Sequence, residues 1–125
     1  MKPQALIIED CVLDQVIHKI ILESLNFECV VVSGGEEAVS HLNDTQFSLI
    51  LLDLNLPQIN GNQILMGYRS SVMNKSTPVV VVSSTISQNH KEFLRTWGAQ
   101  LLIEKPLNTK LEVLKEFSKS LGSSV

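Results

Sequence analysis

FSLILLDLNLPQING, residues 47–61, is the stretch from which the rest of the chain can be read. Ser48 to Leu52 is an aliphatic run too short for a free-standing helix, and Pro57 and Gly61 punctuate the residues beyond it. That is the profile of a strand buried on both faces and ending in a loop. Asp53 stands directly after the run, where an unpaired charge at the edge of a core is costly. A lone Asp in such a place is most simply a helix cap or a turn residue. Its company elsewhere in the chain argues for more.

Working outward, the same run-then-polar pattern recurs. Ala5 to Glu9 is an apolar run ending in Glu9-Asp10. Leu13, Ile17, Ile20, Ile21 and Leu25 then recur at helical spacing, and Asn26, which tolerates a left-handed C′ conformation, closes the helix. Glu28 to Val32 is a second strand, less uniformly apolar and so expected at an edge. Ser33-Gly34-Gly35 breaks it, and Glu36 to Leu42 comes next as a helix with Ala38, Val39 and Leu42 inward. Beyond the Asp53 strand, Gln63 to Val72 reads as a helix with Ile64, Leu65 and Tyr68 on one side. Thr77-Pro78 leads into Val79 to Val82, the strongest strand signal of the chain, ended by Ser83-Ser84-Thr85. Gln88 to Trp97 is a helix closed by Gly98, and Gln100 to Glu104 is a fifth strand stopped by Lys105-Pro106. Leu107, Leu111, Leu114, Phe117 and Leu121 make a last amphipathic stripe.

Five strands alternating with five helices imply an α/β fold, a doubly wound parallel sheet covered on both faces. Right-handed crossovers leave few topologies, and the flavodoxin-like strand order 2-1-3-4-5 is the common one at this size. No repeat, linker or low-complexity segment interrupts residues 1–125, which are expected to form a single domain.

Composition narrows the function. The 125 residues are 44% hydrophobic with a net charge of −3, and the ten Lys and Arg are scattered, so no basic face for nucleic acid is expected. The apolar runs are far short of a membrane span, and Met1-Lys2-Pro3 opens onto no signal-peptide pattern, which points to the cytoplasm. Cys11 and Cys29 lack metal-ligand spacing and read as buried or half-buried thiols in a reducing compartment. His18, His41 and His90 read as isolated residues on polar helical surfaces, with no role.

In such a sheet the strand C-termini share one edge, and ligands bind where the winding reverses, between strands one and three. Glu9-Asp10 ends strand one and Asp53 ends strand three, so three carboxylates are expected side by side. Ser83 and Lys105 end strands four and five at the same crevice. Three crowded carboxylates repel, and one Lys cannot balance them. A hard divalent cation can, and oxygen-only ligands suit Mg²⁺. An Asp held there beside a Lys and a hydroxyl can attack a phosphorus centre to give an aspartyl phosphate, with Lys105 and Ser83 stabilising the phosphoryl oxygens.

The chain resembles, over essentially its whole length, the receiver domain of bacterial two-component response regulators, and is similar to the chemotaxis-type single-domain members. The resemblance rests on the acid pair Glu9-Asp10, the acceptor Asp53, the DxxxP spacing to Pro57 and Gly61 eight positions past the acceptor. It extends to the hydroxyl of Ser83, Gly98-Ala99 before the last strand, and Lys105-Pro106. It implies that Asp10 and Asp53 ligate Mg²⁺ (or Mn²⁺) directly, Glu9 through water and Asn55 through its carbonyl. It also implies a cis peptide between Lys105 and Pro106. Two positions depart from the family: Leu102 stands where a Tyr or Phe switch ring is common, and Leu94 where Ala is common.

The implied function is a phosphorylation-switched signalling module, not an enzyme beyond its own phosphorylation and dephosphorylation. Its phosphodonor would be a sensor histidine kinase or a histidine phosphotransfer protein. Its output would leave by protein contact through helix four, strand five and helix five, with Leu102 and Trp97 as candidates for that surface, a core position being the equal alternative for Trp97, and the loop Ser84 to Gln88 as the moving part. Charge and apolar run length argue against a direct nucleic-acid or membrane partner, and a homodimer stays open. Two other readings compete: a pseudo-receiver that binds partners without phosphorylation, and a phosphohydrolase of the haloacid dehalogenase type. The second lacks its usual acid/base Asp, since position 55 is Asn55.

Overall fold

The structure, a computed structural model, describes residues 2–54, 61–68, 71–84, 86–96 and 98–122, without the side chains of 61, 62, 65, 66 and 122. The expectations for Asn55, Pro57, Thr85, Trp97 and the Leu65 side chain lie outside the described residues. The elements run β1 (Gln4–Ile8), α1 (Val12–Ser24), β2 (Glu28–Val32), α2 (Gly35–Asp44), β3 (Leu49–Asp53), α3 (Gly61–Tyr68), β4 (Val79–Ser83), α4 (Gln88–Thr96), β5 (Ala99–Glu104), a 3₁₀ turn (Leu107–Thr109) and α5 (Leu111–Gly122). The five strands form one sheet in the order β2-β1-β3-β4-β5, and each neighbouring pair is parallel.

Strand periodicity sorts the core into two layers. Leu6, Ile8, Ile50, Leu52, Val79 and Val81 face one side, packed with Ala38 and Leu42 of α2, Ile64 and Tyr68 of α3 and Leu94 of α4. Their neighbours Ala5, Ile7, Leu49, Leu51, Val80 and Val82 face the other, against Ile21 and Leu22 of α1 and Leu114 of α5. Every residue of β3 and β4 is buried, as continuous apolar runs require, whereas β2 at the edge is only partly covered.

Helix α1 ends in a Schellman arrangement. Asn26 takes φ 74°, its N–H donates to the Glu23 carbonyl at 3.0 Å, and the Phe27 N–H donates to the Leu22 carbonyl at 3.1 Å. Gly98, with φ 109°, comes after α4 and is likewise in a conformation that favours glycine.

Three helical stripes differ from those expected. In α2 Ala38 and Leu42 are buried, but Val39, expected inward, is exposed, because the inward face follows the i, i+4 pair and Val39 lies one residue off it. In α1 the residues turned inward are His18, Ile21 and Leu22, with Ile17 and Leu25 packed at the margin, while Leu13 and Ile20 are 67% and 61% exposed. Val12, Leu13, Val16, Ile17, Ile20, Ile21 and Leu22 are apolar around most of the helix, so spacing alone does not choose the inward face. His18 is therefore corrected from a surface residue to a buried one. In the last stripe, Leu107 is buried in the 3₁₀ turn and precedes α5, and Leu111 is 46% exposed. The turn resets the helix phase after Leu107, leaving Leu114, Phe117 and Leu121 as the packed set. Cys29 is half-buried as expected, but Cys11, just before α1, is exposed.

A polar knot holds the end of the sheet opposite the strand C-termini. Asn74, fully buried, donates to the carbonyls of Leu42 and Thr45, both at 2.7 Å, and accepts from the Phe47 N–H at 2.8 Å and the Thr77 hydroxyl at 3.1 Å.

Candidate functional site

Register sets the site. Ile8 lies opposite Leu52, so the next residues, Glu9 and Asp53, arrive abreast at the switch point. Asp53 lies opposite Val82, and Ser83 opposite Glu104, which brings Ser83 and Lys105 to the same edge. Glu9, Asp53 and Ser83 are buried, Asp10 is exposed, and Lys105 is largely covered. One carboxylate oxygen from each of Glu9, Asp10 and Asp53 lies within 4.8 Å of the other two. The Lys105–Pro106 peptide is cis.

Lys105 is the cation of this cluster. Its Nζ sits 2.9 Å from Glu9 Oε1, 2.9 Å from Asp14 Oδ2 and 3.5 Å from Asp53 Oδ2. Burial alone would lower its pKa. Pairing with Glu9 and Asp14 and the charge of Asp53 outweigh that and hold the ammonium above its ordinary range. Asp14 in turn is held below the usual carboxylate range by its hydrogen bond from Lys105.

Glu9 behaves oppositely. Its Oε2 accepts from the Cys11 N–H at 3.2 Å, and its backbone carbonyl accepts from the Gln15 amide at 2.6 Å. Burial foremost, then a hydrogen bond shared with Asp53, push its carboxyl up from 4.5 to about 8. The 2.9 Å approach of Lys105 argues for an ionised Glu9. One ammonium divided among three acids does not offset the loss of hydration, and burial prevails.

His18 Nδ1 lies 3.8 Å from Glu9 Oε1; among the described residues His18 Nδ1 has no hydrogen-bond partner, and Glu9 Oε1 has the ion pair with Lys105 at 2.9 Å. Desolvation lowers the His18 pKa, so the ring is biased toward its neutral form. Three converging carboxylate oxygens, with one ammonium shared by Glu9 and Asp53, fit a hard divalent cation with oxygen ligands.

The structure thus brings Glu9, Asp10, Asp53, Ser83 and Lys105 together; Asn55 lies outside the described residues. Leu102 is half-buried against the core layer that also holds the fully buried Leu94. Two residues at the crevice, Asp14 and His18, are missed by reading strand ends alone. A signal for them is present: Asp10, Asp14 and His18 recur every four residues, which places Asp14 and His18 one above the other on α1, leading back to the acid pair.

Known proteins share this arrangement of chain. The polar-differentiation response regulator DivK of Brucella ovis is 24% identical over 119 residues, covering 94% of this chain and 97% of that protein. A CheY-like response regulator receiver domain protein from Methanospirillum hungatei JF-1 superposes with a TM-score of 0.86 at 23% identity, covering all of both chains. The receiver domain of sensor histidine kinase PA1611 from Pseudomonas aeruginosa PAO1, a structure with magnesium coordinated in its active-site cleft, gives 0.85 at 22% identity over 98% of this chain and 99% of that one. At these identities the two structures establish the shared fold. The model of the response regulator receiver domain matches residues 5–116, nearly the whole sheet and its helices, and this chain belongs to that family of two-component signalling modules.

Proposed function

We propose that this chain, residues 1–125 acting as one receiver unit, is a phosphoacceptor whose Asp53 takes a phosphoryl group from the phosphohistidine of a sensor kinase or a phosphotransfer protein. The observation that carries the reading is the position of Asp53. Its carboxylate is buried at the end of a central strand, beside Glu9 and Asp10, with Lys105 Nζ 3.5 Å away. In the transfer, an Asp53 oxygen attacks phosphorus, the P–O bond forms, and the P–N bond breaks with its electron pair leaving on the imidazole nitrogen. Lys105 offers charge to the phosphoryl oxygens, and the Ser83 hydroxyl, one residue past the Asp53–Val82 pair, offers a hydrogen bond.

Glu9, Asp10 and Asp53, with the Asn55 carbonyl, would hold Mg²⁺ or Mn²⁺. A divalent cation there would screen the crowded carboxylates and the charge on the entering phosphoryl group. The magnesium in the PA1611 receiver domain supports this assignment.

Output is assigned to the surface of α4, β5 and α5. A groove of about 280 Å³ lies there, lined among others by Ile86, Lys91, Leu102, Lys110 and Val113. With Leu102 in place of a ring, the switch falls to the segment 84–88 after Ser83. Among the described residues no helix is long and apolar enough to cross a membrane, which fits the proposed cytoplasmic setting.

Intact-mass measurement after incubation with acetyl phosphate tests the reading. One phosphoryl adduct is expected, dependent on Mg²⁺ and lost in Asp53→Asn. An adduct that survives the substitution, or forms equally in EDTA, refutes it.

A further inference from the structure

Lys105 is held asymmetrically. Its hydrogen bond to Asp14 Oδ2 measures 2.9 Å, whereas Asp53 Oδ2 is 3.5 Å away, longer than the 2.7–2.9 Å typical of a charge-assisted bond. Asp14 is not one of the three clustered acids and lies in the first turn of α1, on a different element from the acceptor Asp53 at the end of β3. Its side chain is 27% exposed, so it is paired with Lys105 without being part of the core.

We propose that Asp14 is a positioning residue that holds Lys105 toward α1 in the unphosphorylated state and competes with the phosphoryl group on Asp53 for the ammonium. The proposal deepens the phosphoacceptor reading and rests on it. To bond a phosphoryl oxygen closely, Nζ must leave its present place between Glu9 and Asp14. Glu9 belongs to the metal-binding set, which competes with Lys105 for its carboxylate; Asp14 has only Lys105 among the ion pairs of the described residues. Its grip therefore sets part of the free-energy difference between the resting and phosphorylated arrangements. Phosphorylation would release Asp14 and alter the first turn of α1, next to the crevice mouth.

The test is calorimetric titration with beryllofluoride, a phosphoryl mimic, in saturating Mg²⁺, on wild-type protein, Asp14→Asn and Asp14→Glu, with a separate Mg²⁺ titration of each. Asp14→Asn is expected to bind the mimic about three- to tenfold more tightly, the scale of one partly exposed charge-assisted bond. Its Mg²⁺ affinity should be unchanged or weaker, because a negative charge has gone and Lys105 is freer to approach the acids. Asp14→Glu, which restores the competitor, should return mimic affinity toward wild type. A merely structural role for Asp14 would not tighten mimic binding while leaving Mg²⁺ binding unchanged or weaker. Unchanged or weaker mimic binding in Asp14→Asn, or an Asp14→Glu that behaves like it, overturns the proposal and leaves the phosphoacceptor reading standing. Wild-type protein that takes up no mimic overturns both.

Discussion

Glu9 makes the metal-free protein lose stability as pH rises through neutrality. Its carboxyl is raised from 4.5 to about 8 in the folded chain, chiefly by burial. A carboxyl with a raised folded pKa contributes stability that is complete below the unfolded value and lost as pH climbs to the folded one, because the folded state binds the extra proton over that interval. Other groups bear on the window. His18 is lowered from 6.5, so it adds stability with rising pH, but only up to 6.5. Asp14 is lowered from 3.8 and acts below that value; Cys29, raised from 9.0 to about 11, and Lys105, raised from 10.5, act above the window. Between pH 6.5 and 8 the shifts leave Glu9 in charge, and about 1.5 pH units at roughly 1.4 kcal/mol each give a fall of about 2 kcal/mol. Glu9→Gln keeps the shape, removes the titration and should flatten the curve, ending more stable than wild type at pH 8. Saturating Mg²⁺ should reverse the wild-type slope, since a cation binding the ionised acids gains affinity as the proton leaves. Urea unfolding in EDTA at several pH values across the window measures this. A wild-type stability that is flat or rises from pH 6.5 to 8, or a Glu9→Gln variant that falls in parallel with it, would refute the account.

Two more outcomes rest on the same geometry. Lys105→Met removes the cation facing Glu9, Asp14 and Asp53, so in EDTA at pH 8 it should lower stability by roughly 1–3 kcal/mol; the deficit should shrink at pH 5.5, where Glu9 is protonated, but not vanish, because Asp14 stays ionised, and thermal unfolding at the two pH values decides. Asn74→Ala cuts the side-chain hydrogen bonds of the buried knot and should cost about 3–5 kcal/mol in urea with little change in slope, while leaving Mg²⁺ affinity intact; a loss below about 1 kcal/mol would show that the loops satisfy their backbone groups without it.

The site's principal residues are legible in the sequence because strand ends are punctuated there. An aliphatic run, an abrupt polar residue and a parallel sheet suffice to place Glu9, Asp53, Ser83 and Lys105 on one edge, and the observed register aligns them there. Helix faces are less legible. α1 is apolar on nearly every side, and its inward direction depends on the sheet beneath it, so spacing points Leu13 and Ile20 inward and His18 outward where the packed protein has the reverse. α5 starts anew after a 3₁₀ turn, which breaks the period that joins Leu107 to Leu111.

What the amino-acid order determines by itself is the alternation of five short buried runs with five helical segments, and through it the doubly wound sheet. Those signals are local: a run of four valines, a proline after a lysine, a glycine where φ must be positive. What only the tertiary structure decides is how one ammonium is divided among acids from positions 9, 14 and 53, which depends on distances between elements far apart in the chain. The raised pKa of Glu9 is of the same kind. Burial and neighbouring charge produce it, and neither exists until β1, β3, α1 and the segment after β5 have packed together.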